Sequence, residues 1–161
     1  MAYLELKNVS FAYPNGYTAV EHVDMSFELG EAVAIIGQNG AGKTTTVKLM
    51  NGLLRPTQGE VLIEGRSTRQ DTTAVIARKV GYVFQNPDDQ IFQETIYKEI
   101  AYGLIKQKMS TDKIHERVQE VAKLCGLEND LQEHPYNLPY SKRKFITIAA
   151  IVAMDPKVVI L

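Results

Sequence analysis

The chain has 161 residues, with 18 Lys+Arg against 19 Asp+Glu, 45% hydrophobic residues, one cysteine and no tryptophan. That is long enough for a real core, and too evenly charged for a global phosphate-backbone surface, which argues against nucleic acid as a partner. Cys125 alone excludes an intramolecular disulfide framework and any multi-cysteine metal site, which fits a reducing cytoplasm; no window nears the roughly 18 apolar residues of a membrane span, and no signal peptide opens the chain.

Alternation at Tyr3 to Lys7 and at Val23 to Leu29 predicts two half-buried strands of an antiparallel layer, the second ending at Gly30-Glu31. Ala32-Val33-Ala34-Ile35-Ile36 is short and wholly apolar, as expected of a strand buried on both faces of a parallel sheet. A helix is expected from about Gly42 to Asn51. After the turn residues Pro56-Thr57-Gln58-Gly59 comes a strand over 60–64, then a helix over 72–78 capped by Asp71, then a strand over 80–84. The polar loop 86–90 precedes two helices, about 95–106 and 111–125, the second with Ile114, Val118, Val121, Ala122 and Cys125 at helical spacing. A helix over 141–154 follows, apolar on most faces, stopped by Asp155-Pro156. The chain closes on Val158-Val159-Ile160-Leu161, an apolar run with no turn after it, and is therefore expected to be the front part of a longer polypeptide. Strands and helices in alternation imply an α/β fold.

Between the apolar run 32–36 and the first long helix lies Gly37-Gln38-Asn39-Gly40-Ala41-Gly42-Lys43-Thr44, which satisfies GxxxxGK[ST]. A phosphate chain needs several backbone N–H groups converging on one concavity, and glycine permits both the turn and the close approach. The helix opening at Gly42 adds unpaired N–H groups and the positive end of its dipole. Lys43 is expected to reach the β- and γ-phosphates, and the Thr44 hydroxyl to hold Mg²⁺. The rival reading is a glycine-rich turn with an incidental lysine.

From these residues outward the chain resembles the ATP-binding subunits of ABC transporters over essentially its whole length. The resemblance implies an α/β P-loop NTPase core of ABC-ATPase type, with an N-terminal antiparallel β layer (1–31), the P-loop core (32–85), an inserted helical subdomain (86–140), and the signature helix with the start of the Walker B strand (141–161). It implies ATP and Mg²⁺ as cofactors, held by Asn39, Gly40, Ala41, Gly42, Lys43, Thr44 and Thr45. Phe11-Ala12-Tyr13-Pro14 sits where the family places the aromatic residue that stacks on adenine, which assigns that role to Tyr13. Phe84-Gln85-Asn86-Pro87 resembles the Q-loop, so Gln85 would touch Mg²⁺ or the attacking water. Lys43 and Gln85 are thus the expected catalytic residues in this chain, and Thr44 and Gln85 the expected metal ligands.

Val83 to Phe92, continued by Thr95 to Gly103, resembles the energy-coupling-factor branch, importers of vitamins and of cobalt or nickel ions. That branch implies a second ATPase domain in a homodimer, a heterodimer or the same chain. It also implies an integral membrane coupling protein, a membrane subunit that selects the substrate, and a place at the cytoplasmic face of the membrane.

Two features depart from the family. Its signature Leu-Ser-Gly-Gly-Gln is here Leu138-Pro139-Tyr140-Ser141-Lys142, in which Pro139 has no N–H and Tyr140 adds a side chain where glycine permits close approach. Ser141 is expected to cap the helix. Lys142, Arg143 and Lys144 crowd its positive end, either to bind a partner subunit's γ-phosphate or as a solvated basic face. The Walker B acids and the switch histidine would lie beyond Leu161, and His22, His115 and His134 are read as surface or packing residues. The fragment by itself is expected to bind MgATP weakly without turning it over. The rival functions are a non-hydrolysing regulatory subunit, a soluble ABC-type ATPase of repair or translation, and, fitting worst, a small-molecule P-loop kinase.

Overall fold

A computed structural model describes residues 2–161. The chain divides into two compact units, one ending at Val80 and the other Gly81–Leu161.

In the first unit, β1 (Leu4–Ala12), β2 (Thr18–Phe27), β3 (Gln58–Ile63) and β4 (Arg66–Ser67) form one antiparallel sheet in the order β2-β1-β3-β4. Leu4 pairs with Phe27 on one side and Ile63 on the other, and Leu6 with Met25 and Val61. Period-two alternation therefore buries Leu4, Leu6, Val61 and Ile63 together, and burial of one face is what sets the register. The ladder is irregular after Leu6, where Asn8 (φ 49°) and His22 (φ 47°) adopt left-handed backbone. Short polar side chains bridge this irregularity: Asn8 N–H donates to Asp24 Oδ1 (2.8 Å), and His22 N–H to Ser10 Oγ (2.9 Å). Both strands outrun their expected lengths, and the hairpin between them closes with Tyr13 N–H donating to the Tyr17 carbonyl at 2.9 Å.

Gly59 was expected in a turn and instead lies inside β3. Its φ of 74° and the space above it explain why only glycine fits, since a Cβ would come within 2.2 Å of the Asn8 carbonyl oxygen. The helices α1 (Lys43–Met50) and α2 (Thr73–Ala77) follow the expected spans closely, but the cap of α2 is Thr72, whose hydroxyl accepts from Val75 N–H. Asp71 instead forms an ion pair with Arg66 (3.0 Å).

The largest correction concerns 32–36. This run forms no strand and pairs with neither sheet; Ile36 is 91% exposed and Val33 56%. A wholly apolar strand needs a neighbour at each edge and cover on both faces, and among the described residues no strand supplies either edge.

In the second unit, α3 (Ile96–Lys106), α4 (Thr111–Leu124) and α5 (Tyr140–Ala153) surround a core that includes Ile100, Leu104, Val118, Val121, Leu127 and Ile146. Thr95 caps α3 through Lys98 N–H (3.2 Å), and Arg117 on α4 donates to the terminal carbonyls of α5, at Ala153 (3.1 Å) and Val152 (3.0 Å). Strand β5 (Val80–Tyr82) pairs with β6 (Val158–Ile160) in a two-stranded sheet and stops two residues short of its expected end. At the start of α5 the cap position is Pro139, no side chain caps the helix, and Ser141 lies within the first turn, contrary to expectation.

Candidate functional site: the phosphate loop and its surroundings

The loop 37–42 enters α1 through Gly42, which holds φ 83°. A Cβ at this position would lie 2.4 Å from the Ala19 carbonyl oxygen, so β2 presses against the loop and leaves room for glycine alone. No side chain caps α1 and its first turn contains no acid. The N–H groups of that turn, at Lys43, Thr44 and Thr45, have no intrahelical acceptor and stay available to an anion. Thr46 N–H and Thr46 Oγ1 both return to the Gly42 carbonyl, at 2.8 and 2.9 Å, which pins the loop to the helix from below.

Lys43 Nζ donates to the carbonyls of Gly37 and Gln38, each at 2.7 Å, folding the side chain back over its own loop. The ammonium thus lies inside the turn whose N–H groups would meet phosphate. Thr44 is exposed on the first turn, and its hydroxyl makes no hydrogen bond among the described residues, so it fits the role of a Mg²⁺ ligand. Thr45 is different. It is buried, and its hydroxyl lies 3.0 Å from the Tyr13 hydroxyl.

That contact joins the loop to the aromatic hairpin. Phe11 meets the Tyr13 ring edge-on at 4.9 Å, and Tyr17 lies nearly parallel to it with ring centroids 6.4 Å apart. Tyr13 is therefore braced by Phe11 and tied to α1 through Thr45. Nothing in the spacing of Tyr13 and Thr45 signals this pairing, because 32 positions and the whole of β2 separate them. The Ala19 carbonyl that excludes a side chain at Gly42 was equally invisible.

Gln85 belongs to the second unit, where its backbone is anchored to α5 rather than to any strand: Lys144 Nζ reaches the carbonyls of Phe84 (2.5 Å) and Gln85 (3.3 Å). In the basic cluster Lys142 pairs with Asp130 (3.1 Å) while half exposed, Arg143 pairs with Asp88 (2.7 Å), and Lys144 with those two carbonyls, so each of the three cations has a partner within the second unit.

The histidines lie in three separate settings. His22 Nδ1 is 2.8 Å from Asn8 Oδ1, His115 lies against Tyr97, and His134 accepts from Tyr136 N–H. No group of His, Cys, Asp or Glu suited to a metal ion occurs among the described residues. A cavity of about 460 Å³ in the first unit shares no residue with the loop, and its walls carry Glu5, Glu28 and Glu64, which disfavour a phosphate.

Known proteins bear on this site directly. Residues 20–161 match the family model described as ABC transporter. The energy-coupling factor transporter ATP-binding protein EcfA of Methanocaldococcus jannaschii is 38% identical over 163 aligned positions, covering 100% of this chain and 58% of the relative. The EcfA of Methanococcus maripaludis is 37% identical, with 100% and 59% covered. Among solved structures, CbiO1 from Clostridium perfringens, described as part of the ABC transporter complex cbiONQ, superposes with a TM-score of 0.87 at 29% identity, covering 98% of this chain and 64% of that one. The dimeric ATP-binding cassette MJ0796, in a post-hydrolysis state bound to ADP and Pi, gives 0.86 at 28% identity, with 97% and 72% covered. The chain thus spans about three-fifths of the length of the curated relatives it matches, and its fold is that of an ABC-type P-loop ATPase. The family match takes in the phosphate loop and runs to the last residue, and the chain belongs to the ABC transporter family.

Proposed function

We propose that this chain is the ATP-binding part of a subunit that hydrolyses ATP to power import through an ABC transporter of the energy-coupling-factor type. The observation that carries the proposal is the start of α1, where uncapped N–H groups, Lys43 and a glycine-only turn converge beside a braced Tyr13. In this reading Tyr13 stacks on adenine, the backbone from Asn39 to Thr45 cradles the phosphates, and Lys43 leaves the Gly37 and Gln38 carbonyls for the β- and γ-phosphates. The EcfA relatives and the CbiO1 likeness support the importer branch.

Thr44 would hold Mg²⁺, which when bound offsets charge developing on the γ-phosphate, and Gln85 keeps the role that the family resemblance gives it. The first-turn N–H groups donate to the same oxygens, in a fixed array that needs no reorganisation as charge builds. A second ATPase domain would face this one, as in the dimeric cassette. Among the described residues no helix is long and apolar enough to cross a membrane. In this reading attachment at the cytoplasmic face runs through an integral membrane coupling protein, with a separate membrane subunit choosing the substrate.

The second reading, a regulatory subunit that binds nucleotide without hydrolysing it, is favoured by one observation: the cap position of α5 is Pro139, followed by Tyr140. Lys43→Ala in the full-length protein, assembled with its membrane partners, separates the two. If this site drives transport, MgATP binding and uptake collapse together, with turnover down at least about 100-fold. Uptake that continues at a modified rate supports the regulatory reading instead.

A further inference from the structure

Three consecutive cations at the positive end of a helix should repel both one another and the dipole unless something holds them. Two of the three turn to one loop. Lys144 Nζ donates to the Phe84 and Gln85 carbonyls, at 2.5 and 3.3 Å, and Arg143 forms a 2.7 Å ion pair with Asp88. The Arg143 guanidinium also lies 5.1 Å from the Tyr136 ring centroid and 5.5 Å from that of Tyr140, which keeps it aimed at the carboxylate. A third tie starts from the loop: Gln90 Oε1 accepts from Phe84 N–H (3.0 Å), and Gln90 Nε2 donates to the Thr147 carbonyl of α5 (3.3 Å).

The segment 84–90 is therefore fastened to α5 at its beginning, middle and end. Successive carbonyls of an extended strand point to opposite sides, so an ammonium that reaches two in a row holds the chain in a bend. The strand β5 has already ended at Tyr82, and the bend falls at Gln85. Lysine suits this task because its compact charge carries three donors, enough for two carbonyls at once.

We propose that Lys144 is a positioning residue for Gln85, and that with Arg143 and Gln90 it makes the loop and the first turns of α5 move as one body. This rests on the reading of Gln85 as a residue that acts at the nucleotide.

The test uses the full-length protein in its assembled transporter, with Lys144→Met, Lys144→Arg, Gln85→Ala and the double variant Gln85→Ala/Lys144→Met. Lys144→Met should lower kcat roughly 10-fold with KM for ATP unchanged, as a misplaced catalytic group does. Amide exchange over 84–90 should accelerate, Lys144→Arg should restore both readouts, and the double variant should be no slower than Gln85→Ala alone. Unchanged exchange over 84–90 in Lys144→Met overturns the proposal, as does a loss of kcat that adds to that of Gln85→Ala. Should Gln85→Ala alone turn over ATP at the wild-type rate, the reading of Gln85 fails, and the exchange measurement still decides whether Lys144 holds the loop.

Discussion

The first turns of α1 and α5 look alike on paper, each a helix start with basic residues close to its positive end. In α1 the lysine rests on carbonyls of its own loop, and the N–H groups of the turn have no partner. In α5 the cations are tied to Asp130, Asp88 and the Phe84–Gln85 backbone, in other parts of the second unit. A ligand at α1 can replace contacts within one turn. A ligand at α5 would have to break the contacts that hold a neighbouring loop. Basic residues at a helix start thus mark an anion site only where their existing partners are local and replaceable.

The sharpest way to break this comparison is Gly42→Ala. A Cβ at a left-handed position 2.4 Å from the Ala19 oxygen should cost at least about 2 kcal/mol, read by thermal unfolding, and abolish MgATP binding, read by titration. Retention of binding would mean that the turn is not built around that contact. In the second unit, Glu99 is 4% exposed and accepts from the N–H groups of Phe92 (3.1 Å) and Gln93 (2.8 Å). Glu99→Ala removes the buried acceptor of two half-buried N–H groups and should cost about 2 kcal/mol in chemical denaturation.

The same residue sets a pH dependence. Burial pushes the Glu99 carboxyl above the usual glutamate range, against the pull of the two backbone donors. A raised native pKa means that the folded protein binds the extra proton. The desolvation penalty is thus absent below the unfolded value, and stability falls as pH rises from there through the native value. Glu99→Gln should flatten that slope in the acidic limb of a pH–stability profile while keeping an acceptor for the two N–H groups. A slope identical to wild type would show that other groups set it.

The smallest effect belongs to Lys142, about half exposed in its pair with Asp130. Lys142→Ala should change stability by no more than about 0.5 kcal/mol and leave the partner site's ATP turnover untouched. A large fall in turnover would favour the charge-based phosphate reading of this cluster.

Much of the molecule was legible in residue order. The loop 37–44 announces itself because phosphate binding needs glycines and a lysine at fixed spacing, a local requirement. Helix α4 was legible because its apolar spacing is local too, and α3 lies within the span expected of it. The run 32–36 misled because a strand is completed by its neighbours, and its composition says nothing of whether they are present. Ser141 misled because a serine in a first turn caps only if it occupies the cap position, which here belongs to Pro139.

The sequence by itself carried the phosphate-loop pattern GxxxxGK[ST] and with it the family, since that pattern is complete within eight consecutive positions. The tertiary structure decided what the remaining polar groups do. It turned Thr45 toward Tyr13, set the Ala19 carbonyl over Gly42, and drew Lys144 to the backbone of Gln85 across 59 residues. Such partnerships depend on which elements pack together, and charge and hydrogen-bonding capacity in the linear chain do not reveal their partners.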